Sequence, residues 1–196
     1  MGVYLLSKTC YTGSMQITWY GQSCFKIATG DVSILIAPFE RSAGLNPPKN
    51  KADITLFSGD SEKDVTDGFV ISGPGEYEIK GVMIQAFSFF NAPEKGESKQ
   101  GMVYTFSAEG ISVCHIGAVS KENIASILDK IGDVDILLVP VGGPHKEGKE
   151  EVHILNAEEA VAVSSELEPR IIVPMQYKIP KLAYAMDGVA AFLKAM

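Results

Sequence analysis

Two short runs in the second half of the chain limit its fold more than any other feature. Ile136-Leu137-Leu138-Val139-Pro140, led by Asp135, and Ile171-Ile172-Val173-Pro174 carry no polar side chain. Each is too short for a helix of ordinary length and far below the roughly 18 apolar residues of a membrane span. A strand sends alternate side chains to opposite faces, so a run that is apolar throughout is a strand buried on both. At least one sheet covered on both sides is therefore expected.

The first half supplies a different kind of strand. Gln16-Ile17-Thr18-Trp19, Cys24-Phe25-Lys26-Ile27 and Val32-Ser33-Ile34-Leu35-Ile36 are short, β-branched or aromatic, with Gly21 and Gly30-Asp31 as turns. After a polar loop from Glu40 to Lys51, Ile54-Thr55-Leu56-Phe57 reads as a buried strand. Phe69–Ile71, Tyr77–Ile79 and Val82–Gln85 follow, then a charged loop from Asn91 to Gln100, and a hairpin of Met102–Phe106 and Ile111–His115. Ser120 can cap a helix to about Ile131, whose Ile124, Ile127, Leu128 and Ile131 share a face; Asn156 and Asp187 can cap two more. No repeat period appears. Strands first, then helix–strand units, predict two packed sheets with helices outside, in one domain over residues 15–196 after an extension of residues 1–14.

The composition excludes several classes. A formal charge of −7, with scattered Lys and Arg, argues against nucleic acid and acidic membrane surfaces as partners. No apolar stretch is long enough to span a bilayer, and no basic region precedes Val3-Tyr4-Leu5-Leu6, so a cytoplasmic protein is expected. Cys10, Cys24 and Cys114 are odd in number and form no CxxC, which fits a reducing compartment.

Several motifs together carry a resemblance. Ile17-Thr18-Trp19-Tyr20-Gly21-Gln22-Ser23-Cys24-Phe25 resembles the opening of lactonase-like members of the metallo-β-lactamase superfamily, and Ile36-Ala37-Pro38-Phe39 their Ile-Asp-Pro-Phe. Ser72-Gly73-Pro74-Gly75-Glu76-Tyr77-Glu78, Val113-Cys114-His115-Ile116-Gly117, Ile136 to Gly143 and Val173-Pro174-Met175-Gln176-Tyr177-Lys178 are similar to runs in an uncharacterised bacterial branch. The resemblance implies a four-layer αββα sandwich. It also implies a zinc-activated hydroxide held by histidine and carboxylate ligands, many of them from a Thr-His-x-His-x-Asp-His loop.

Those ligands are missing. All three histidines lie at or after His115. Gly59 and Ser61 stand where the loop's first two histidines are expected, Lys63 replaces its aspartate, and Asp64 its third histidine. Phe90 lies near a further histidine position, Ala118 at the bridging aspartate, Gln176 at the last histidine, and Ala37 at the early aspartate. His115 survives, but in the family pattern it precedes a ligand. Gln22 and Glu76 complete the expected remnant pocket, and no zinc or other cofactor is expected to bind. Phe90 is expected to fill the space the metal left, in preference to covering an interface.

Other chemistry is weak. Asp60, Glu62 and Asp64 alternate like part of a calcium loop, but Val65 and Ile71 occupy the positions that need glycine and a carboxylate. Asp60, Asp64, Glu76 and His115 remain as fallback metal ligands. Cys114 and His115, adjacent on a strand, should face opposite ways and form no nucleophile pair. His145 and His153 are expected in solvent. Gly73-Pro74-Gly75 reads as a tight turn, and Gly142-Gly143 as a hinge or as open backbone N–H groups.

The expected function is that of a catalytically inactive homologue working through protein contacts or self-association. The alternatives are a hydrolase of phosphoesters or lactones with a rearranged metal site, and a small-ligand sensor reusing the old pocket.

Overall fold

In the computed structural model, which describes residues 2–3, 9–12, 15–49, 51–58, 68–91, 99–148 and 150–196, the chain visits both sheets within its first strands. β1 (Gly2–Val3) pairs in parallel with the last strand at Ile171 and Ile172, and β2 (Thr9–Thr12) pairs antiparallel with β3 (Met15–Gly21). The described part of residues 1–14 thus adds an edge strand to each sheet. A six-stranded sheet then forms in chain order from β2, β3, β4 (Cys24–Thr29), β5 (Val32–Ile36), β6 (Ile54–Leu56) and β7 (Phe69–Ile71). The other sheet has seven strands. It runs from β8 (Gly75–Ile79) through β9 (Val82–Asn91), β10 (Lys99–Ala108), β11 (Ile111–His115) and β12 (Ile136–Pro140) to β15 (Ile171–Met175), with β1 at its edge. β13 (His145–Glu147) and β14 (Glu150–Val152) form a separate hairpin.

The two sheets repeat one topology that the amino-acid sequence hides. In each, three antiparallel pairings are followed by two parallel ones, and β1 adds a third parallel pairing to the seven-stranded sheet. The turns correspond: Thr29 pairs with Val32 across Gly30-Asp31, and Ala108 with Ile111 across Glu109-Gly110. So do two side-chain clamps. Ser33 N–H donates to Asp53 Oδ2 (2.9 Å) and Asp53 N–H to Ser33 Oγ (3.1 Å). Ser112 N–H and Asp135 Oδ2 (2.9 Å), and Asp135 N–H and Ser112 Oγ (3.0 Å), do the same in the other sheet. Each aspartate carbonyl then accepts from the first residue of the next parallel strand, Phe69 or Ile171 (2.8 and 2.9 Å). These side chains satisfy backbone donors where strands start and the ladder cannot. The expectation of no repeat holds for residue identity but not for topology, because core positions demand only apolar bulk.

Alternation sets the layers. Ile17, Phe25, Ile27, Ile34, Ile36, Ile54 and Leu56 face Ile84, Tyr104, Phe106, Val113, Leu138 and Val173 between the sheets. Val103, Cys114, Leu137, Val139 and Ile172 face outward and are covered by α1 (Lys121–Ala125), α2 (Ala157–Leu167) and α3 (Ala190–Ala195). The expected double burial of β12 is observed. On the outer face of the six-stranded sheet, Tyr20, Cys24, Leu35, Phe39 and Ala52 pack together, with no α-helix among the described residues. The architecture is an α/β sandwich of two mixed sheets.

Asn156 caps α2 as expected, in a capping box with Glu159 (3.0 and 3.1 Å). The helix expected to run to Ile131 instead ends at Ala125 and resumes as a 3-10 turn at Leu128–Lys130. Ser126 Oγ donates to Asn123 O (2.8 Å), and Ile127 and Lys130 bond three residues back, which tightens the coil while keeping its apolar face buried. Asp187 does not cap α3, whose N-cap is Val189. Its N–H instead donates to Gly142 O, and its carbonyl accepts from Lys178.

Asp53 also accepts from Lys80, so it ties the six-stranded sheet to the β8–β9 turn. Lys80 and Ser33 hold its carboxyl well below the usual carboxylate range. A depressed folded value contributes stability that is complete above the unfolded pKa near 4 and is lost as pH falls below it. Asp53→Asn should therefore lower the urea midpoint at neutral pH and flatten its decline below about pH 4. An unchanged acid limb would show that the clamp is not what titrates.

Candidate functional site

Parallel strands end together, and here those of both sheets end on the same side of the sandwich. Gln176 N–H, just past β15, donates to Gln22 O in the β3–β4 turn (3.2 Å). His115 at the end of β11 places Nε2 2.8 Å from Ser23 O. Tyr104 Oη lies 2.6 Å from Phe57 O, and Gly117 approaches Ser58. Gln22, Ala37, Ser58, His115, Ala118 and Gln176 therefore gather at one set of strand ends. Gln22, Ala37 and Gln176 take left-handed backbone (φ 50°, 47° and 48°), as chains do when they turn sharply off a strand.

The described groups gathered there are neutral. Burial pushes the His115 ring down to about 4, partly offset by the Ser23 carbonyl. With an acceptor opposite Nε2, the neutral ring carries its proton there and donates it. Nδ1 is buried without a partner. The ring edge packs on Phe25 (centroids 6.1 Å, 80°), while Cys114 faces the helices, so the two do point opposite ways. Burial also pushes the Cys114 thiol up to about 12 and raises that of Cys24, which leaves neither as a nucleophile. Both amide atoms of Gln22 and Oε1 of Gln176 are buried and unpartnered. Trp19 lies tilted against Tyr177 (5.2 Å, 36°) and donates Nε1–H to Gln22 O (2.9 Å).

An apolar cluster lies beside them. Ala118 packs on Ile154, Leu182 and Met186, joined by Leu45, Ile179 and Tyr184. A Cβ on Gly21 would stand 2.6 Å from Leu45 Cδ1 and 3.4 Å from Ile179 Cδ1, so these side chains lie directly over the β3–β4 turn. Lys178 Nζ donates to the carbonyls of Leu182 and Tyr184 (2.9 and 2.8 Å), and Ala183 N–H to Ala43 O (3.0 Å), which fastens the covering segment. This cover was missed in the sequence. Its signal was the recurrence of Ile179, Leu182, Tyr184 and Met186 in a segment given no role.

Several expectations need correction. Phe90 does not fill the space: it is 60% exposed at the end of β9, where strand parity turns Phe89 into the helix-side core instead. Glu76 is not in the remnant pocket. It lies on the outer face of β8 beside Gln85 (3.3 Å), whereas His115 points between the sheets. His145 is buried rather than solvated, with Nδ1 3.2 Å from Gly143 O and Nε2 3.1 Å from Glu147 Oε1, whereas His153 is exposed. Gly142-Gly143 offers no open N–H at Gly143, which donates to Leu155 O (3.1 Å); a Cβ on Gly142 would strike Gln176 O at 2.1 Å. Gly73-Pro74 is the expected turn, closed by Tyr77 Oη on Gly73 O (3.0 Å). Gly59, Asp60, Ser61, Glu62, Lys63, Asp64 and Val65 lie outside the described residues.

A zinc ion does not fit these groups. Among the described residues no three His, Cys, Asp or Glu side chains stand where they could share a metal. His115 spends Nε2 on a carbonyl, and neutral amides or an alanine beside Leu182 and Met186 cannot replace imidazoles and a bridging carboxylate. No helix among the described residues is long and apolar enough to cross a membrane.

A family profile described as "Beta-lactamase superfamily domain" matches residues 16–176. A UPF0173 protein of Pyrococcus abyssi is 28% identical over 192 residues, 83% of each chain. A crystal structure from Thermotoga maritima, ascribed to a zinc-dependent hydrolase of the metallo-β-lactamase superfamily, superposes with a TM-score of 0.73 at 30% identity, covering 93% of this chain and 86% of that one. The metallo hydrolase Igni18 of Ignicoccus hospitalis shares the fold (TM-score 0.62, 18% identity, 86% and 85% covered).

Two outcomes test the site. Because folded His115 protonates near 4 and an unfolded imidazole near 6.5, stability should be lost as pH falls through that window. His115→Phe should flatten this part of the thermal-unfolding profile, while costing about 1–3 kcal/mol near neutral pH for the orphaned Ser23 carbonyl. Ala118→Asp should destabilise by about 1–3 kcal/mol, since it sets a carboxylate against an apolar cluster at a half-buried position. Added Zn²⁺ should not restore the melting temperature; full recovery would reveal a latent metal site.

Proposed function

Since the chain belongs to the metallo-β-lactamase superfamily while its strand ends carry an apolar cluster, we propose that it is a catalytically inactive, metal-free homologue working through protein contacts. The observation that carries this reading is the packing of Ala118 against Ile154, Leu182 and Met186, under a segment that Lys178 fastens. A hydrolase of this family needs a water-filled, ligand-lined cleft there, whereas a carboxylate at this half-buried position would face apolar side chains. The exposure of Phe69, Val70, Met83 and Phe90, at 58, 46, 53 and 60%, supports a role in contacts. The unpaired, buried thiols of Cys24 and Cys114 fit a cytoplasmic setting.

One observation favours a second reading. The unpartnered amides of Gln22 and the Oε1 of Gln176 could meet a small neutral ligand in the old pocket, which would make the chain a sensor.

Metal content decides first. The purified, untagged chain, exposed to Zn²⁺, Mn²⁺ and Fe²⁺ and desalted, should retain only substoichiometric metal by plasma mass spectrometry and hydrolyse neither phosphoesters nor lactones. Near-stoichiometric metal with turnover would overturn the reading in favour of a rearranged hydrolase.

A further inference from the structure

Away from the strand ends, the described helices cover only half of the outer face of the seven-stranded sheet. The helices pack where Phe89, Val103, Cys114 and Ile172 point outward. Toward β8 the same face continues as Glu76, Gln85, Thr105 and Ser112, which with Met83 and Asp133 border an open groove of about 340 Å³.

The polar groups of this groove are organised. Thr105 Oγ1 donates to Gln85 Oε1 and Gln85 Nε2 to Glu76 Oε1 (both 3.3 Å), which orients the amide and leaves Glu76 as an acceptor. Ser112 Oγ donates to Asp133 O (2.6 Å) and fixes the opposite wall. The charged side chains lining the groove, Glu76 and Asp133, are both acidic. Elsewhere at the sheet margins acids are partnered, Asp53 by Lys80 and Asp135 by Arg170. Glu76 and β11 are separated by three strand spacings, roughly 14 Å. Met83 adds a half-exposed, adaptable apolar side chain on the same face.

We propose that this groove docks a segment of a partner protein that carries two basic side chains with an apolar residue between them. The proposal rests on the contact-based reading above and supplies the chemistry of the partner. A lysine or arginine at each end meets Glu76 and Asp133, and the apolar residue covers Met83. Asp133 O is hydrogen-bonded to Ser112 of β11, so an extended segment crossing from β8 to β11 spans about 14 Å and brings basic residues about four positions apart near both acids. The overall charge of −7 speeds encounter with such a segment.

The probe is a fluorescein-labelled peptide with two lysines four positions apart and a leucine midway, titrated with the full chain by fluorescence anisotropy. Saturable binding is expected, weakened about tenfold by Glu76→Gln combined with Asp133→Asn. Glu158→Gln with Glu166→Gln on the surface of α2 removes the same charge and should leave binding unchanged; circular dichroism checks that both variants fold. Absence of saturable binding, or equal weakening by both pairs, would overturn the proposal. So would a leucine-to-serine peptide that binds equally well and is displaced by equimolar spermidine, which would assign the groove to a polyamine. Metal retention bears only on the non-catalytic reading, and a silent peptide titration only on the groove, so the two failures are distinguishable.

Discussion

Between the sheets, Ile17, Phe25, Ile34 and Leu56 meet Ile84, Tyr104, Phe106 and Leu138 face to face, and the rest of the molecule is arranged around that contact. Two sheets that share one apolar face expose a second face each, and an apolar second face has to be covered. Hence the helices pack over Cys114, Leu137, Val139 and Ile172, and the chain extends the seven-stranded sheet with β1. The same contact fixes where the strands end together, and so where a site can be.

Among the described residues, those ends are held by backbone bonds and apolar packing. Strand ends leave backbone groups unsatisfied, and left-handed turns at Gln22, Ala37 and Gln176 redirect the chain so that they bond across the sheets. Beside these turns Leu45, Ile179, Leu182 and Met186 meet Ala118. Among the described residues the polar groups there are uncharged: a neutral imidazole on the Ser23 carbonyl, the unpartnered Gln22 amide and the unpartnered Oε1 of Gln176. Function is set by such groups and not by the fold that carries them.

Much of the fold was legible in local pattern. The double-sided burial of β12, the Gly30-Asp31 hairpin and the Asn156 cap each follow from a few adjacent residues. The opposition of Cys114 and His115 followed from strand parity alone. Local pattern failed where a side chain competed with the backbone, as Ser126 does in the broken helix. It also failed at Phe90, which the end of its strand leaves exposed while its neighbour Phe89 is buried. Glu76 was misplaced because motif order along the chain says nothing about which face of a strand a residue takes.

The sequence by itself determined the family, the loss of its histidines and the alternation that builds two sheets, because residue identity and spacing are local properties. Only the tertiary structure decided which side chains gather at the strand ends. Leu45, Ala118, Ile154, Leu182 and Met186 come from separated segments, and nothing in their local spacing brings them together. The repeated Ser–Asp clamps were hidden for the same reason. Each joins residues 20 or 23 positions apart across neighbouring strands, so the pairing exists only once the register is set.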